Sequence, residues 1–250
     1  MAAVSRRPLL LGAVVVVVLA VGIAIGAHLG GPGAPAPSPS PVAAGTPAAT
    51  GAGSVSAVPP AAILPQVDLS DVRFASLFGL QLPVSASAGP HDTAGYLASG
   101  YSHTPLGALI AAVNIPYRVG GPFGSAIFEP TIARQVVGAG ADRDSLLAVS
   151  RRDAARSGVG ATPPPDVLIT GSDIAINGFR WESYTPDVAI VHVAGSQPDP
   201  SSGRIIRIDQ RTELRWSDGD WRFVAPPGGD FAATATPIGS VDGYQLFRRS

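Results

Sequence analysis

Apolar positions along the chain fall into three regimes, and each predicts a different kind of segment. From Pro8 to Leu29 they are continuous, with Leu9, Leu10, Leu11, the run Val14 to Val18, Leu19, Val21, Ile23 and Ile25 and no charged residue. About 20 residues rising about 1.5 Å each cross a hydrocarbon core of about 30 Å. Lipid leaves backbone amides no partner outside the segment, so helix is expected despite the β-branched valines. Between Gly30 and Ala62 the chain holds only Gly, Ala, Pro, Ser, Thr and Val, too little apolar surface to fold. Such a tether reaches on the order of 50 to 100 Å if its prolines keep it extended.

Beyond the tether the apolar positions become periodic. Asp71 to Val84 alternate imperfectly and read as one short strand or extended arm. Thr104-Pro105 is a helix start, with Leu106, Leu109, Ile110 and Val113 at i, i+3, i+4, i+7, predicting a helix over about 105–115. Pro130 reads as the opening of a second helix through Val137. Asp142 reads as the cap of a third, running to about Arg156 before Gly158, with Leu146, Leu147 and Val149 inward. After Pro163-Pro164-Pro165 the period turns to two: strands are expected within 167–179, over 187–194 and over 204–216. In the last, Ile206, Ile208, Gln210, Thr212, Leu214 and Trp216 share one face, and Arg207, Asp209, Arg211, Glu213 and Arg215 share the other. Asp218-Gly219 is a hairpin signal of the primed type, returning through Trp221, Phe223 and Val224.

Helices followed by a mainly antiparallel sheet define an α+β class. The domain organisation is then residues 1–7 as a cytoplasmic N-terminus, 8–29 as a transmembrane signal-anchor helix, 30–65 as a disordered linker, and 66–250 as the folded domain. Arg6 and Arg7 precede the apolar run and no positive charge follows until Arg73, which places the domain outside the cytoplasm. The competing reading is a cleaved signal peptide, with Ala24, Ala27, Gly30 and Gly31 as small residues near a cut. Its apolar run is expected nearer about 7 to 15 residues, so the length favours an uncleaved anchor.

Composition removes several chemistries. The 250 residues carry a net charge of −1 with no basic cluster suited to a phosphate backbone, so nucleic acid is not an expected partner. All 17 basic residues are Arg, which with the Ala, Gly and Pro bias points to a GC-rich coding sequence. Cysteine is absent, which excludes disulfides, thiolate metal sites and a cysteine nucleophile. The four histidines are scattered and form no metal or phosphate-loop pattern, so no cofactor or metal is expected. Ser102-His103 is not a dyad, and no Gly-x-Ser-x-Gly elbow occurs. Arg151, Arg152 and Arg156 complement a helix C-terminus and need no ligand.

The stretches Trp181-Glu182-Ser183-Tyr184, Leu214-Arg215-Trp216 and Gly219-Asp220-Trp221-Arg222, placed after three helices, resemble the cone-shaped fold of the nuclear-transport-factor-like superfamily over roughly residues 100 to 230. The stretches Leu82-Pro83-Val84-Ser85, Gly89-Pro90, His103-Thr104-Pro105-Leu106-Gly107-Ala108 and Trp221 to Asp230 resemble a family of uncharacterised actinomycete membrane proteins, several associated with conjugative elements. In topology the chain is similar to assembly subunits of type IV secretion and conjugation channels. The resemblance implies a curved sheet; the topology, the tether and the missing chemistry point to a non-enzymatic accessory or scaffold protein that makes protein contacts outside the cytoplasm, in a conjugation or secretion apparatus. Its partners would be the membrane and other envelope proteins, and homo-oligomerisation stays open.

Two site expectations follow. The face of Arg207, Asp209, Arg211, Glu213 and Arg215 is the candidate protein-contact surface, against the plain reading of a solvated face. Tyr101, His103, Trp181 and Tyr184 are the candidate pocket of the alternative, a small-ligand binder or enzyme, for which His192 and Asp173 are further candidates. His103 is expected to cap the helix it precedes, and Trp216 and Trp221 to pack across their hairpin. A third reading has the aromatic residues bind cell-wall polymer.

Overall fold

The computed structural model describes residues 64–162, 174–199 and 202–248. The apolar run over 8–29, the linker up to residue 63 and Asp173 lie outside the described residues. Strands β1 (Val72–Leu77) and β2 (Leu80–Ser85) form a hairpin. The single strand expected over 71–84 is therefore two. The turn is Phe78-Gly79, with φ of 48° and 91°, a two-residue turn of the primed kind carrying Phe in place of the usual Asn or Asp. Asp71 closes the open end, accepting from Ser85 Oγ at 2.6 Å, Ser87 Oγ at 2.7 Å and Ser87 N at 3.1 Å.

Helix α1 (Pro105–Arg118) starts where the sequence places it: Thr104 accepts from Gly107 N at 3.1 Å. It is not an amphipathic surface helix, because every residue from Gly107 to Arg118 is buried. It crosses β2 and the main sheet as the spine of the core. The polar groups inside are satisfied in a chain. Asn114 Nδ2 donates to Pro83 O at 2.7 Å, Arg118 Nη1 donates to Asn114 Oδ1 at 2.7 Å, and Arg118 Nε donates to Tyr96 O at 3.0 Å. The hairpin and the loop at 93–97 are pinned to α1 by these bonds.

Helix α2 (Ser125–Gln135) begins five residues before Pro130, which sits inside it rather than opening it. Val136 and Val137 leave the helix and form strand β3, parallel to a later strand. Helix α3 (Gly140–Ser157) starts after Ala139 and stops at Gly158 in the left-handed conformation, φ 64°. Asp142 lies in its first turn and accepts from Gly228 N at 2.8 Å instead of capping. Leu146 is buried, Leu147 packs half-buried on the core, and Ser150 rather than Val149 is the second fully buried position. Arg151 pairs with Glu129 of α2 at 2.7 Å.

The sheet is built from β4 (Ala175–Tyr184), β5 (Val188–Pro198), β6 (Ile205–Ser217), β7 (Asp220–Val224), β8 (Ala235–Pro237) and β9 (Gln245–Leu246). The order is β3-β7-β6-β5-β4-β9, with β8 also on β6, and every pairing except β3 with β7 is antiparallel. The β6–β7 turn has φ of 53° at Asp218 and 76° at Gly219, as the sequence predicts. Phe179, Trp181, Ala189, Val191, Val193, Leu214, Trp221 and Phe223 face the helices and form the core with α1. Among the described residues, three α-helices on a mainly antiparallel sheet make this an α+β fold.

Candidate functional site on the charged sheet face

Long β6 is flanked differently along its length. Ile208, Asp209 and Gln210 pair with β8, whereas Leu214 to Ser217 pair with β7. Around Arg211, Thr212 and Glu213 the two neighbours diverge. Gln210 Nε2 plugs the base of the split, donating to Thr234 Oγ1 at 2.6 Å and to Arg211 O at 3.1 Å. The split opens into a cleft of about 550 Å³ lined by His192, Asp209, Arg211, Glu213 and Arg215, with Val224 to Pro227, Thr234 and Thr236 among its walls. Four of the five residues expected to form a contact face therefore border a concavity. Arg207 lies further along β6, at a shallower depression beside Asn177 and Phe247.

The floor is a charge network across three strands. Register places Arg180 opposite His192, and His192 opposite Arg211. Arg180 Nη2 donates to Asp209 Oδ2 at 2.7 Å and lies 2.9 Å from His192 Nδ1. His192 Nδ1 is 2.8 Å from Asp209 Oδ2, and its Nε2 is 2.9 Å from Glu182 Oε2. Arg211 grips Glu182 with two bonds, Nε at 2.9 Å and Nη2 at 3.1 Å, the bidentate geometry that guanidinium and carboxylate favour. The Arg211 bonds, with a smaller contribution from His192, hold Glu182 down from 4.5 to about 2. Arg180 also lies 5.4 Å from the Tyr244 ring centre, and its hydrogen bond to that phenol is the main cause raising its pKa.

Asp209 departs most from a solvated alternating face. It is 5% exposed, since Arg180 and His192 cover it, and its Oδ1 has no partner among the described residues. A proton on His192 Nδ1 is donated to Asp209; a proton on Nε2 is donated to Glu182 and leaves Nδ1 to accept from Arg180. Either way the imidazole is held at both ring nitrogens. Arg180, Glu182 and Tyr244 were not singled out from sequence. The signal for the first two was present in Phe179-Arg180-Trp181-Glu182, an aromatic-charged alternation matching that of β6.

The candidate pocket residues are distributed differently. Tyr101 is 2% exposed in the core, and burial pushes its hydroxyl pKa up. Trp181 packs at 5.9 Å on Phe179 and 5.5 Å on Tyr184. His103 does not cap α1. It stacks on Trp216 with ring centres 4.0 Å apart and bonds Pro186 O through Nε2 at 2.7 Å, while Thr104 takes the capping role. Trp216 and Trp221 face each other across the hairpin, 5.5 Å apart. His103, Tyr184 and the three tryptophans thus form one aromatic group, with Tyr101 tied to it through the backbone. Trp221 Nε1 donates to Ser102 O at 3.0 Å. Buried Asp220 accepts from Gly100 N at 2.9 Å and Tyr101 N at 3.0 Å.

Among the described residues no group of three or more histidine, aspartate and glutamate side chains is disposed to hold a metal ion. The fold and this face define an α+β domain with a charged, cleft-bearing sheet surface. The chain belongs to the family described as a domain of unknown function (DUF8175), whose model matches residues 31–246. No curated protein and no solved structure matches it.

Proposed function

We propose that this chain is a membrane-anchored, non-enzymatic accessory protein whose domain makes protein contacts outside the cytoplasm, within a conjugation or secretion apparatus. The observation that carries the contact role is the cleft: the charges of β6 do not simply face water but are cross-braced from β4 and β5 around a concave surface. Rigid side chains on strands lose little entropy on binding, which favours a recognition surface. Anchoring rests on the apolar run at 8–29 behind Arg6 and Arg7. The nuclear-transport-factor-like resemblance supports the apparatus, in that channel assembly subunits combine one anchor with such a domain. Among the described residues no helix is long and apolar enough to cross a membrane.

The test is affinity purification of the full-length protein from its own membranes after mild crosslinking, beside the Arg207→Glu/Arg215→Glu variant. Channel or ATPase components should accompany the wild type and be lost with the variant. Identical recovery from both would remove the face from the account. The small-ligand reading keeps one specific observation: His192 held between two carboxylates at the edge of the same cleft.

A further inference from the structure

A second concavity lies on the same sheet, apart from the cleft. Strand β8 pairs with β6 and β9 with β4, so the connection over 238–244 must pass β5. It does so on the charged face, where the Tyr244 ring meets Arg180. Val241 of this connection bounds a groove of about 420 Å³, within the range of about 300–1,000 Å³ typical of ligand sites. The groove sets Arg207, Ser196 and Asn177 against apolar Val241, Leu246 and Phe247.

Register builds the polar side. Arg207 lies opposite Ser196 across the β5–β6 ladder. On β4 the pairing slips by one residue between Ile176 and Gly178, which makes Asn177 the extra residue of a bulge, and bulges re-aim side chains. Ser196 Oγ donates to Asn177 Oδ1 at 3.4 Å, leaving the Asn177 amide nitrogen as a donor. Arg180, Arg211 and Arg215 on this face each pair with a carboxylate. Arg207, half-buried, makes no ion pair and no side-chain hydrogen bond among the described residues. Among those residues no acid lines the groove. Asp209, two positions along the same face, is held by Arg180 and His192, and Asp242 accepts from Ser240 Oγ at 2.7 Å.

One uncommitted guanidinium facing an apolar wall suits a monoanion with an apolar body. A phosphate would find a single cation and gain nothing from exposed Leu246 or from Phe247. We infer that the groove receives the carboxyl-terminal end of a partner chain, with its terminal carboxylate on the Arg207 fork and its last apolar side chain against Val241, Leu246 and Phe247. Asn177 and Ser196 then serve the peptide group before that residue. A simple aliphatic acid has no use for those two side chains. This rests on the protein-contact role proposed above and gives Arg207 a task apart from the cleft.

The experiment uses the full-length protein in detergent and an amino-terminally fluorescein-labelled peptide ending in Gly-Ser-Leu-Leu, read by anisotropy. The same peptide with a carboxyl-terminal amide is the control. The free acid should bind, weaken as salt rises from ~50 to ~500 mM, and bind about tenfold or more tighter than the amide. Arg207→Ala should lose that factor and no longer distinguish acid from amide. Leu246→Ser should also weaken binding, whereas Arg152→Ala on α3 should bind like the wild type. Equal binding of acid and amide by the wild type, or unchanged binding in Arg207→Ala or Leu246→Ser, overturns the inference. So does displacement by octanoate at the concentration at which unlabelled peptide acts, since the groove would then read only a fatty carboxylate. If the peptide fails while crosslinked capture is still lost in Arg207→Glu/Arg215→Glu, the chain-end inference falls and the contact role stands. If both fail, the role falls too.

Discussion

Asp220 shows how one carboxylate sets the geometry of a distant loop. It is buried, accepts from the amides of Gly100, Tyr101 and Trp221, and has no cation paired with it among the described residues. Removing it strands three donors, two of them on a loop about 120 residues away in sequence. Asp220→Ala should cost about 3 kcal/mol by urea unfolding, because charged acceptors and orphaned buried amides are each worth about 1–3 kcal/mol. A loss below about 0.5 kcal/mol would mean that water replaces the carboxylate. Glu182 gives a pH prediction. Its folded pKa, about 2, lies below its ordinary 4.5, so its stabilising contribution is present above 4.5 and is lost as pH falls toward 2. The stability difference between wild type and Glu182→Gln should therefore shrink through that window. A difference constant from pH 6 to pH 3 would contradict the Arg211 grip. Glu182 is partly exposed, so solvent screening keeps the effect modest.

At the scale of elements, α2 carries a cost the fold tolerates. Pro130 has no amide for the carbonyl of Ala126 and crowds it, in a half-buried position. Pro130→Ala should raise stability by about 1–3 kcal/mol, seen as a higher melting temperature; a fall would show that the ring packs better than the helix bonds. The proline also explains why α2 was misplaced. Proline is commonest in a first turn, so sequence reasoning set the start there, and the real start after Gly124 carries no Ser, Thr, Asp or Asn cap. Likewise Phe78-Gly79 lacked the Asn or Asp of a usual turn, which hid the β1–β2 hairpin. Strong local chemistry was legible: Thr104-Pro105 at α1, Gly158 after α3, Asp218-Gly219 and the long alternation of β6. What could not be read was anything set by partners far apart in sequence. The burial of Asp209 depends on Arg180 and His192, and the cleft depends on where β7 and β8 part. Gly229 is another such case: its backbone lies against Leu146 of α3 at φ 67°. Gly229→Ala should loosen that helix by about 1–3 kcal/mol, measurable as faster amide exchange in α3.

At the scale of the whole molecule, the proposed function joins an anchor over 8–29, a tether and a binding domain. The chain has no cysteine, so single introduced cysteines report topology cleanly. Ser202→Cys, in the exposed β5–β6 turn, should react with an impermeant maleimide on intact cells, and Ser5→Cys only after lysis. The reverse pattern would invert the assigned orientation. The most direct measurement of the central claim is photocrosslinking in living cells, with a benzophenone amino acid placed at Val224 or Thr236 on the cleft wall, or at Arg152 on α3. The account predicts discrete protein adducts from the two cleft positions and none from Arg152. Adducts from Arg152 alone, or from no position, would contradict a protein-contact role for this face.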